Sequence, residues 1–160
     1  MSFSASLVPA STTALVNSIG AADDFFKDLF QTALQPDEVI TEIRFPKPPA
    51  RTGSAYTKLP NKASHYAVVG CAAVVTLDTD GTCTSASVVI TGASVKPTRA
   101  NNVEAGLVGK KLDEATIADA ASHAAEGLEL VSDIHGSKEY RAQMAAVFAR
   151  RAIAKAAERA

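Results

Sequence analysis

The chain has 160 residues, of which 47% are hydrophobic and 21% are charged, a composition typical of a globular protein rather than a disordered one. Sixteen basic residues nearly cancel 17 acidic ones, and the net charge of −1 gives no long-range attraction to nucleic acid or to an anionic membrane. No apolar run reaches the roughly 18 residues that span a bilayer, and no secretory signal is visible. The sequence therefore predicts a cytoplasmic protein.

The N-terminal part of the chain differs in composition from the rest. Residues 1–22 are rich in Ser, Thr and Ala and show no sustained periodicity, which indicates a flexible arm or the remnant of a linker. A single domain is then expected over 23–160. Its first element is a predicted helix from Asp23 to Leu34, which Pro36 stops. The apolar face of this helix is formed by Phe25, Phe26, Leu29, Phe30 and Ala33.

Strands follow this helix. Alternating apolar and charged residues predict a strand over about 38–45, and a shorter one is predicted over 53–59. Residues 66–77 are apolar on both alternating faces, which indicates a central, covered strand. A turn at 78–81 leads into a further strand over 82–91. Three or four antiparallel strands are therefore expected.

Helices occupy the rest of the sequence. One is predicted over about 98–108, ending at Gly109, and the next over about 113–130. The last begins after Ser137, which is predicted to be its N-cap. Its apolar stripe is predicted to consist of Tyr140, Met144, Val147 and Phe148. Strands followed by helices predict an α+β fold, with the helices packed on one face of a small antiparallel sheet.

The two cysteines are predicted to be free. Cys71 and Cys83 lie on the two arms of one predicted hairpin. If Cys83 pairs with Thr76, Cys71 lies about 16 Å farther along the strand, which is too far for a disulfide bond. Two small buried thiols are the better interpretation.

Catalytic and metal-binding motifs are absent from the sequence. There is no Cys-x-x-Cys pair, no His-Glu-x-x-His pattern and no phosphate-binding loop, and the three histidines lie in separate segments. Residues Asp78 to Gly81 open like a calcium loop, but Val89 stands where the twelfth-position Glu is needed, which favours a hairpin turn. Neither a catalytic residue nor a metal site is predicted.

Residues around the last helix leave some interpretations open. His135 lies in the turn before Ser137 and is interpreted as part of the cap, with a position at a partner interface as the alternative. Arg151 falls on the side of the apolar stripe, so it either extends to the edge of the core or meets a partner. Tyr140 is predicted to be a core residue whose hydroxyl finds one hydrogen-bond partner.

Four stretches of the sequence are informative as a set. They are DFFKDLFQTALQPDEVITEIRFP (24–46), AYTKLPNKASHYAVVGCAAVVTLDTDG (55–81), VVITGASVKPTRANNVEAGLVGKKLDEATIADAA (88–121) and SDIHGSKEYRAQMAAVFARRAI (132–153). In this order they resemble the C-terminal domain of the FAD-binding medium subunit of molybdenum hydroxylases, the family of aerobic carbon monoxide dehydrogenase and xanthine dehydrogenase. That domain's fold, a small antiparallel sheet backed by a helical bundle, agrees with the order of elements predicted above.

The resemblance implies an accessory role in an oxidoreductase. A domain of this kind packs against an FAD-binding domain, while molybdenum and iron–sulfur centres lie on other subunits or domains. The glycine-rich loops that hold FAD belong to the preceding domain, so this chain is expected to bind no cofactor alone and to have no catalytic centre of its own. The alternative is a free-standing interaction module that has lost its flavin domain and forms a homodimer. The chain is then either part of a longer subunit or a separately encoded piece.

One segment of the family's domain approaches the flavin, and it matches Tyr56 to Tyr66 here. The resemblance therefore makes Tyr56, Lys58 and Lys62 the cofactor-binding candidates, provided that an FAD domain is present. A cation at this place stabilises negative charge on reduced flavin. His65 departs from the family's pattern, in which an acidic residue is common. The alternative is that Lys58 and Lys62 are solvated lysines that protect the edge of the sheet.

Overall fold

The computed structural model describes the backbone of residues 4–9 and 18–160 and the side chains of residues 24–160. The chain divides into two compact units, Met1–Pro48 and Pro49–Ala160. The elements of the first unit are β1 (Ser4–Pro9), β2 (Ser18–Ala21), α1 (Ala22–Phe25), β3 (Phe26–Asp28), β4 (Gln31–Thr32) and β5 (Glu38–Arg44). An antiparallel sheet has the order β2-β1-β5, and β3 pairs with β4.

The first unit departs from the sequence-based expectations in its pairing. The strand predicted over 38–45 is confirmed as β5, but its partner is β1, a strand that was not predicted. Both β1 and β2 fall within residues 1–22, for which an arm or linker was predicted; residues 1–3 and 10–17 of that range lie outside the described residues. The domain boundary at residue 23 stays a prediction, and the division into units falls after Pro48.

The helix predicted from Asp23 to Leu34 is wrong beyond Phe25. Phe30 has a φ of +54°, outside the helical region, and the Ala33 N–H donates to the Phe25 carbonyl at 2.8 Å across the β3–β4 hairpin. A helix of this length depends on the burial of its apolar face. That face is not buried here, since most of its large side chains are exposed, namely Phe26, Leu29 and Phe30.

The second unit confirms the predicted α+β architecture. Its elements are β6 (Thr52–Pro60), β7 (Ala67–Leu77), β8 (Cys83–Thr91), β9 (Thr98–Arg99), α2 (Asn101–Leu107), α3 (Glu114–Ser122) and α4 (Lys138–Ala157). The strands form an antiparallel sheet in the order β6-β7-β8-β9, so the fourth strand is β9, in a segment for which a helix was predicted. Helix α4 packs on β6 and β7, and α2 packs on β8.

The core lies between the sheet and the helices. The predicted central strand is confirmed as β7, and its buried side chains Val69, Cys71, Ala73 and Val75 line this core. The prediction that both of its faces are covered is wrong, since Val68, Ala72 and Val74 on the other face are only half-buried. Both cysteines are buried and free, as predicted, and burial raises the pKa of the Cys71 thiol to about 12. Cys83 pairs with Leu77 rather than with Thr76, because the register shifts at the end of β7.

Helix α3 is shorter than the predicted helix over 113–130, since it ends at Ser122. Gly127 adopts a φ of +75°, and the Val131 N–H donates to the Ala93 carbonyl at 3.0 Å. The segment after α3 therefore bonds to the chain that follows β8, and this pairing overrides the helical pattern of the sequence.

Helix α4 begins as predicted but buries a different face. The Ser137 hydroxyl accepts the Tyr140 N–H at 3.2 Å, which confirms the N-cap. Tyr140, however, is 41% exposed, so its assignment to the core is wrong. The buried stripe consists of Arg141, Ala145, Phe148, Ala149, Ala152, Ile153 and Ala156. Its small side chains bring the helix backbone close to the sheet, where a Cβ added at Gly53 would collide with the Ala156 carbonyl.

Arg141 is the one charged residue in the buried core of the described chain and is 3% exposed. Its Nη1 donates to the carbonyls of Val68 at 2.6 Å and Gly92 at 2.7 Å. Its Nη2 donates to Asp133 Oδ1 at 2.6 Å, and its Nε to the Gly136 carbonyl at 3.3 Å. One side chain therefore joins the start of α4 to β7, to the residue after β8 and to the loop before the helix.

Replacing this side chain should destabilise the protein strongly. Arg141→Met leaves the Val68 and Gly92 carbonyls without their buried partner, so the free energy of unfolding should fall by about 3 kcal/mol in urea denaturation. Arg150→Met changes an exposed arginine of the same helix and should stay within about 0.5 kcal/mol of the parent. A loss below about 1 kcal/mol for Arg141→Met would contradict this account.

The loop before α4 also predicts a dependence of stability on pH. Asp133 accepts the His135 backbone N–H and the Arg141 guanidinium, and these two bonds, in that order, lower the pKa of its carboxyl group. Its contribution is therefore present above the unfolded pKa of about 3.9 and is lost as the pH falls through the lower folded pKa. Asp133→Asn should have a shallower decline of the melting temperature between about pH 5 and pH 2 than the parent.

The control for this measurement is Glu129→Gln, which removes another exposed carboxylate of the same unit. Its decline in melting temperature should follow that of the parent. If the melting temperatures of the parent and of both variants fell in parallel with pH, the role of Asp133 would be refuted.

Candidate functional site

The three candidate residues lie on β6 and on the loop that follows it. Thr57 donates from its hydroxyl to the Phe148 carbonyl of α4 at 2.9 Å, so its neighbours Tyr56 and Lys58 point away from the helix. The structure therefore brings Tyr56 and Lys58 to the open face of the sheet. Lys62 lies in the loop, exposed, and within the described residues it makes no hydrogen bond or ion pair.

Lys58 helps to close the loop between β6 and β7. Its Nζ donates to the His65 carbonyl at 2.8 Å, across the loop from its own strand. Two of its three ammonium hydrogens stay available for another acceptor. Because β6 is an edge strand, the edge-protecting interpretation of Lys58 also fits its position.

Asn61 organises this loop. Its Oδ1 accepts the backbone N–H groups of Ala63 at 2.8 Å and Ser64 at 3.1 Å. Its own N–H donates to the Tyr66 carbonyl at 2.7 Å, and its carbonyl accepts the His65 N–H at 3.0 Å. His65 has a φ of +59°, a conformation in which His is enriched among non-glycine residues. His65 therefore contributes to the loop by adopting this backbone conformation.

Tyr56 lies across the neighbouring strand. A Cβ added at Gly70 would lie 2.5 Å from the Tyr56 hydroxyl oxygen, so the ring occupies the space that the missing side chain leaves. Partial burial is the main cause that raises the pKa of Tyr56, and the Cys71 thiol adds to it. The phenol therefore stays protonated at neutral pH and can donate a hydrogen bond.

A second loop meets the first at the start of α4. Asn61 Nδ2 lies 3.1 Å from His135 Nδ1, which joins the β6–β7 loop to residues 133–136. Sequence reasoning missed Asn61, although an Asn followed by small residues is a common signal for a side chain that bonds its own loop. It also missed Arg141, which anchors the second loop.

Large exposed apolar side chains concentrate at this end of the second unit. Tyr66 is 80% exposed and Ile134 is 95% exposed. We call the surface formed by Tyr56, Lys58, Lys62, Tyr66 and Ile134 the loop face. It combines two cations with three large apolar groups, the composition expected of a surface that another protein covers.

Other candidate features have structural explanations. The Asp78 carboxylate accepts the N–H groups of Asp80 and Thr82, which supports the hairpin turn. The Arg151 guanidinium lies 5.0 Å from the centre of the Phe148 ring, which favours its position at the edge of the core; contact with a partner stays a prediction. Within the described part of the chain no group of side chains could hold a metal ion, and no helix could cross a bilayer.

Comparison with known proteins gives consistent matches. Residues 54–156 match the family model of the CO dehydrogenase flavoprotein C-terminal domain. The chain is 38% identical to the carbon monoxide dehydrogenase medium chain of Afipia carboxidovorans over 142 residues, which cover 89% of this chain and 49% of that protein. It is 35% identical over 131 residues to the 6-hydroxypseudooxynicotine dehydrogenase complex subunit alpha of Paenarthrobacter nicotinovorans, covering 82% of this chain and 44% of the relative.

A solved structure agrees with these matches. Carbon monoxide dehydrogenase from Hydrogenophaga pseudoflava, in a form lacking the Mo-pyranopterin moiety of its molybdenum cofactor, aligns with a TM-score of 0.88 at 31% identity. The alignment covers 99% of this chain and 54% of that one. The chain thus spans about half the length of the curated relatives it matches.

The contact between Tyr56 and Gly70 can be tested by substitution. Gly70→Ala should displace the Tyr56 ring, because the added Cβ would lie 2.5 Å from its hydroxyl oxygen. The ring can turn into solvent, so the cost in free energy of unfolding should stay within about 1 kcal/mol while the Tyr56 ring resonances shift in NMR spectra. Unchanged resonances would contradict the packing described.

The control is Gly92→Ala, where the obstacle is backbone. Gly92 has a φ of +77°, and its added Cβ would lie 2.5 Å from the Ala67 carbonyl oxygen. This variant should lose at least about 2 kcal/mol, because neither the strained φ nor the collision can relax cheaply.

Proposed function

The chain belongs to the CO dehydrogenase flavoprotein C-terminal domain family, and from this premise we propose that it is an accessory domain of the flavoprotein, or medium, subunit of a molybdenum-hydroxylase-type oxidoreductase. In this role it packs against an FAD-binding domain and supports electron transfer without a catalytic centre of its own. Its further partners are molybdenum and iron–sulfur subunits, and its location is cytoplasmic. The names of the relatives, a medium chain and a complex subunit, support a role within a larger assembly.

The observation that carries this proposal is the loop face. Tyr66 and Ile134 expose most of their surface, and exposure of such large apolar groups is unfavourable in water. The two loops are nevertheless held in one arrangement by hydrogen bonds from Asn61 and Arg141. A surface that is both apolar and already ordered loses little conformational entropy on association. An FAD-binding domain is the partner that we assign to it.

The residues present fit the flank of a flavin rather than a complete site. Glycine-rich phosphate-binding loops are absent from the sequence, so the diphosphate of FAD must be held elsewhere. Bound FAD would supply the electron-accepting centre. Lys58, with two available N–H donors, and Lys62 would place positive charge beside it and stabilise its reduced, anionic form. Tyr56 would add a protonated hydroxyl on the same face of the sheet.

Charge disfavours the alternative of a homodimer through the same surface. A twofold contact brings the same patch of both copies together. Lys58 and Lys62 of both copies would then lie within one contact, and like charges that are brought together across an interface oppose association. A partner with acidic or polar groups facing the lysines does not have this disadvantage.

Association with an FAD-binding domain is the test. The chain should bind the flavin-loaded FAD domain of a medium chain of this family, measured by calorimetry. Ile134→Asp should weaken binding at least about tenfold, because it buries a carboxylate in the contact. Val108→Asp changes an exposed apolar residue of the same unit outside the loop face and should leave binding unchanged. No binding, or equal losses in the two variants, would reject the proposal.

The electrostatic role of the lysines has its own readout. In the assembled flavoprotein, Lys58→Met should lower the flavin midpoint potential by about 30 mV, because reduced flavin loses a neighbouring cation. Lys155→Met removes an exposed lysine of α4 and should not shift the flavin midpoint potential.

If the chain alone forms a stable dimer that Ile134→Asp dissociates, the homodimer interpretation replaces the accessory-domain one.

A further inference from the structure

The contact between Asn61 and His135 has only one chemically consistent arrangement. Asn61 Oδ1 accepts two backbone N–H groups, from Ala63 and Ser64, and only the oxygen of an amide can accept. The amide orientation is therefore fixed by the loop itself. The atom that faces His135 is the Asn61 nitrogen, Nδ2, which can only donate.

His135 must therefore present a lone pair to Asn61. Its Nδ1 lies 3.1 Å from Asn61 Nδ2 and acts as the acceptor of that hydrogen bond. An acceptor at Nδ1 requires a neutral ring with its proton on Nε2, since the imidazolium carries N–H groups on both nitrogens. The imidazole ring has three forms, two neutral tautomers and the imidazolium, and the geometry selects the neutral tautomer with its proton on Nε2.

The backbone of His135 is fixed from the other side. Its N–H donates to Asp133 Oδ1 at 2.8 Å, and the same oxygen accepts from Arg141. Arg141 also donates to Gly136, the residue that follows His135. The imidazole is thus carried on a short loop that the buried guanidinium ties to the sheet.

We propose that His135 is a positioning residue for the β6–β7 loop: its neutral, Nε2-protonated ring holds Asn61 and thereby fixes the loop that carries Lys62 and supports Lys58. The connection is a chain of hydrogen bonds. Asn61 binds the backbone at Ala63, Ser64 and His65, and Lys58 donates to the carbonyl of His65. The significance of this for a flavin rests on the proposed function, whereas the hydrogen-bond chain is formed within this domain and needs no flavin.

The ring form is read directly by NMR. In the full chain at about pH 8, long-range proton–nitrogen correlation should show His135 Nδ1 as the unprotonated nitrogen. Asn61→Asp replaces the donating NH₂ by an accepting oxygen, so the proton of His135 should move to Nδ1. A parent protein with its proton on Nδ1, or a tautomer unaffected by Asn61→Asp, would overturn the proposal.

Positioning of the loop is read by amide hydrogen exchange at Ala63 and Ser64. His135→Phe keeps a ring but removes the acceptor, and exchange at both amides should become about fivefold faster, as expected for one lost hydrogen bond. His135→Asn should restore slow exchange, because its Oδ1 stands where Nδ1 stood. If His135 only filled space, the Phe ring would replace it, and exchange at Ala63 and Ser64 in His135→Phe would stay as slow as in the parent.

His123→Phe is the matched control. His123 uses its Nδ1 in a contact with Glu126, away from this loop, so its loss should leave the Ala63 and Ser64 amides unchanged. Unchanged exchange in His135→Phe would reject the inference. These measurements need no flavin, so a failure to bind an FAD domain would reject the proposed function and leave this result in place.

Discussion

A buried guanidinium group fixes the relation between the sheet, the loops and the last helix of the second unit. Placing a charge at 3% exposure is costly unless its N–H groups are bonded, and Arg141 meets four oxygens within 3.3 Å. Two of them are the carbonyls of Val68 and Gly92, at the start of β7 and just after β8. The absence of a side chain at Gly92 permits its backbone to approach the carbonyls of Ala67 and Val68. Helix α4 cannot shift along the sheet without breaking these bonds.

The same group determines the arrangement of the exposed loops. Arg141 holds Asp133 and Gly136, which places His135 against Asn61, and Asn61 orders the loop between β6 and β7. A buried anchor thus supports a surface whose large side chains contact little of their own chain. Order without burial is costly for an isolated surface but favours rapid, specific association, because the partner does not have to organise it. This is the physical basis for assigning the loop face to a protein partner.

The two thiols in the buried core of the described residues are poorly suited to nucleophilic chemistry. Burial raises the pKa of the Cys71 thiol to about 12, so it stays protonated at neutral pH and is a poor nucleophile. Cys83 is also buried, and burial is the main cause that raises its pKa. Polar groups with available donors are found on the surface, at Lys58 and Lys62. An accessory domain beside a redox centre is consistent with this division between an inert core and a charged flank.

The sequence by itself determined the strands β5 to β8, the cap at Ser137 and the family, because alternation, capping chemistry and ordered motifs are local properties of the chain. Predictions from the local pattern were wrong where contacts between residues far apart in the chain determine the secondary structure. The apolar face predicted over 23–34 stays largely exposed and a hairpin forms there, while α3 ends early because Val131 bonds to the chain after β8. Only the tertiary structure showed that Arg141, and not Tyr140, faces the core. An arginine is buried only where folding supplies oxygen acceptors for its N–H groups, and residues far apart in the chain supply them here.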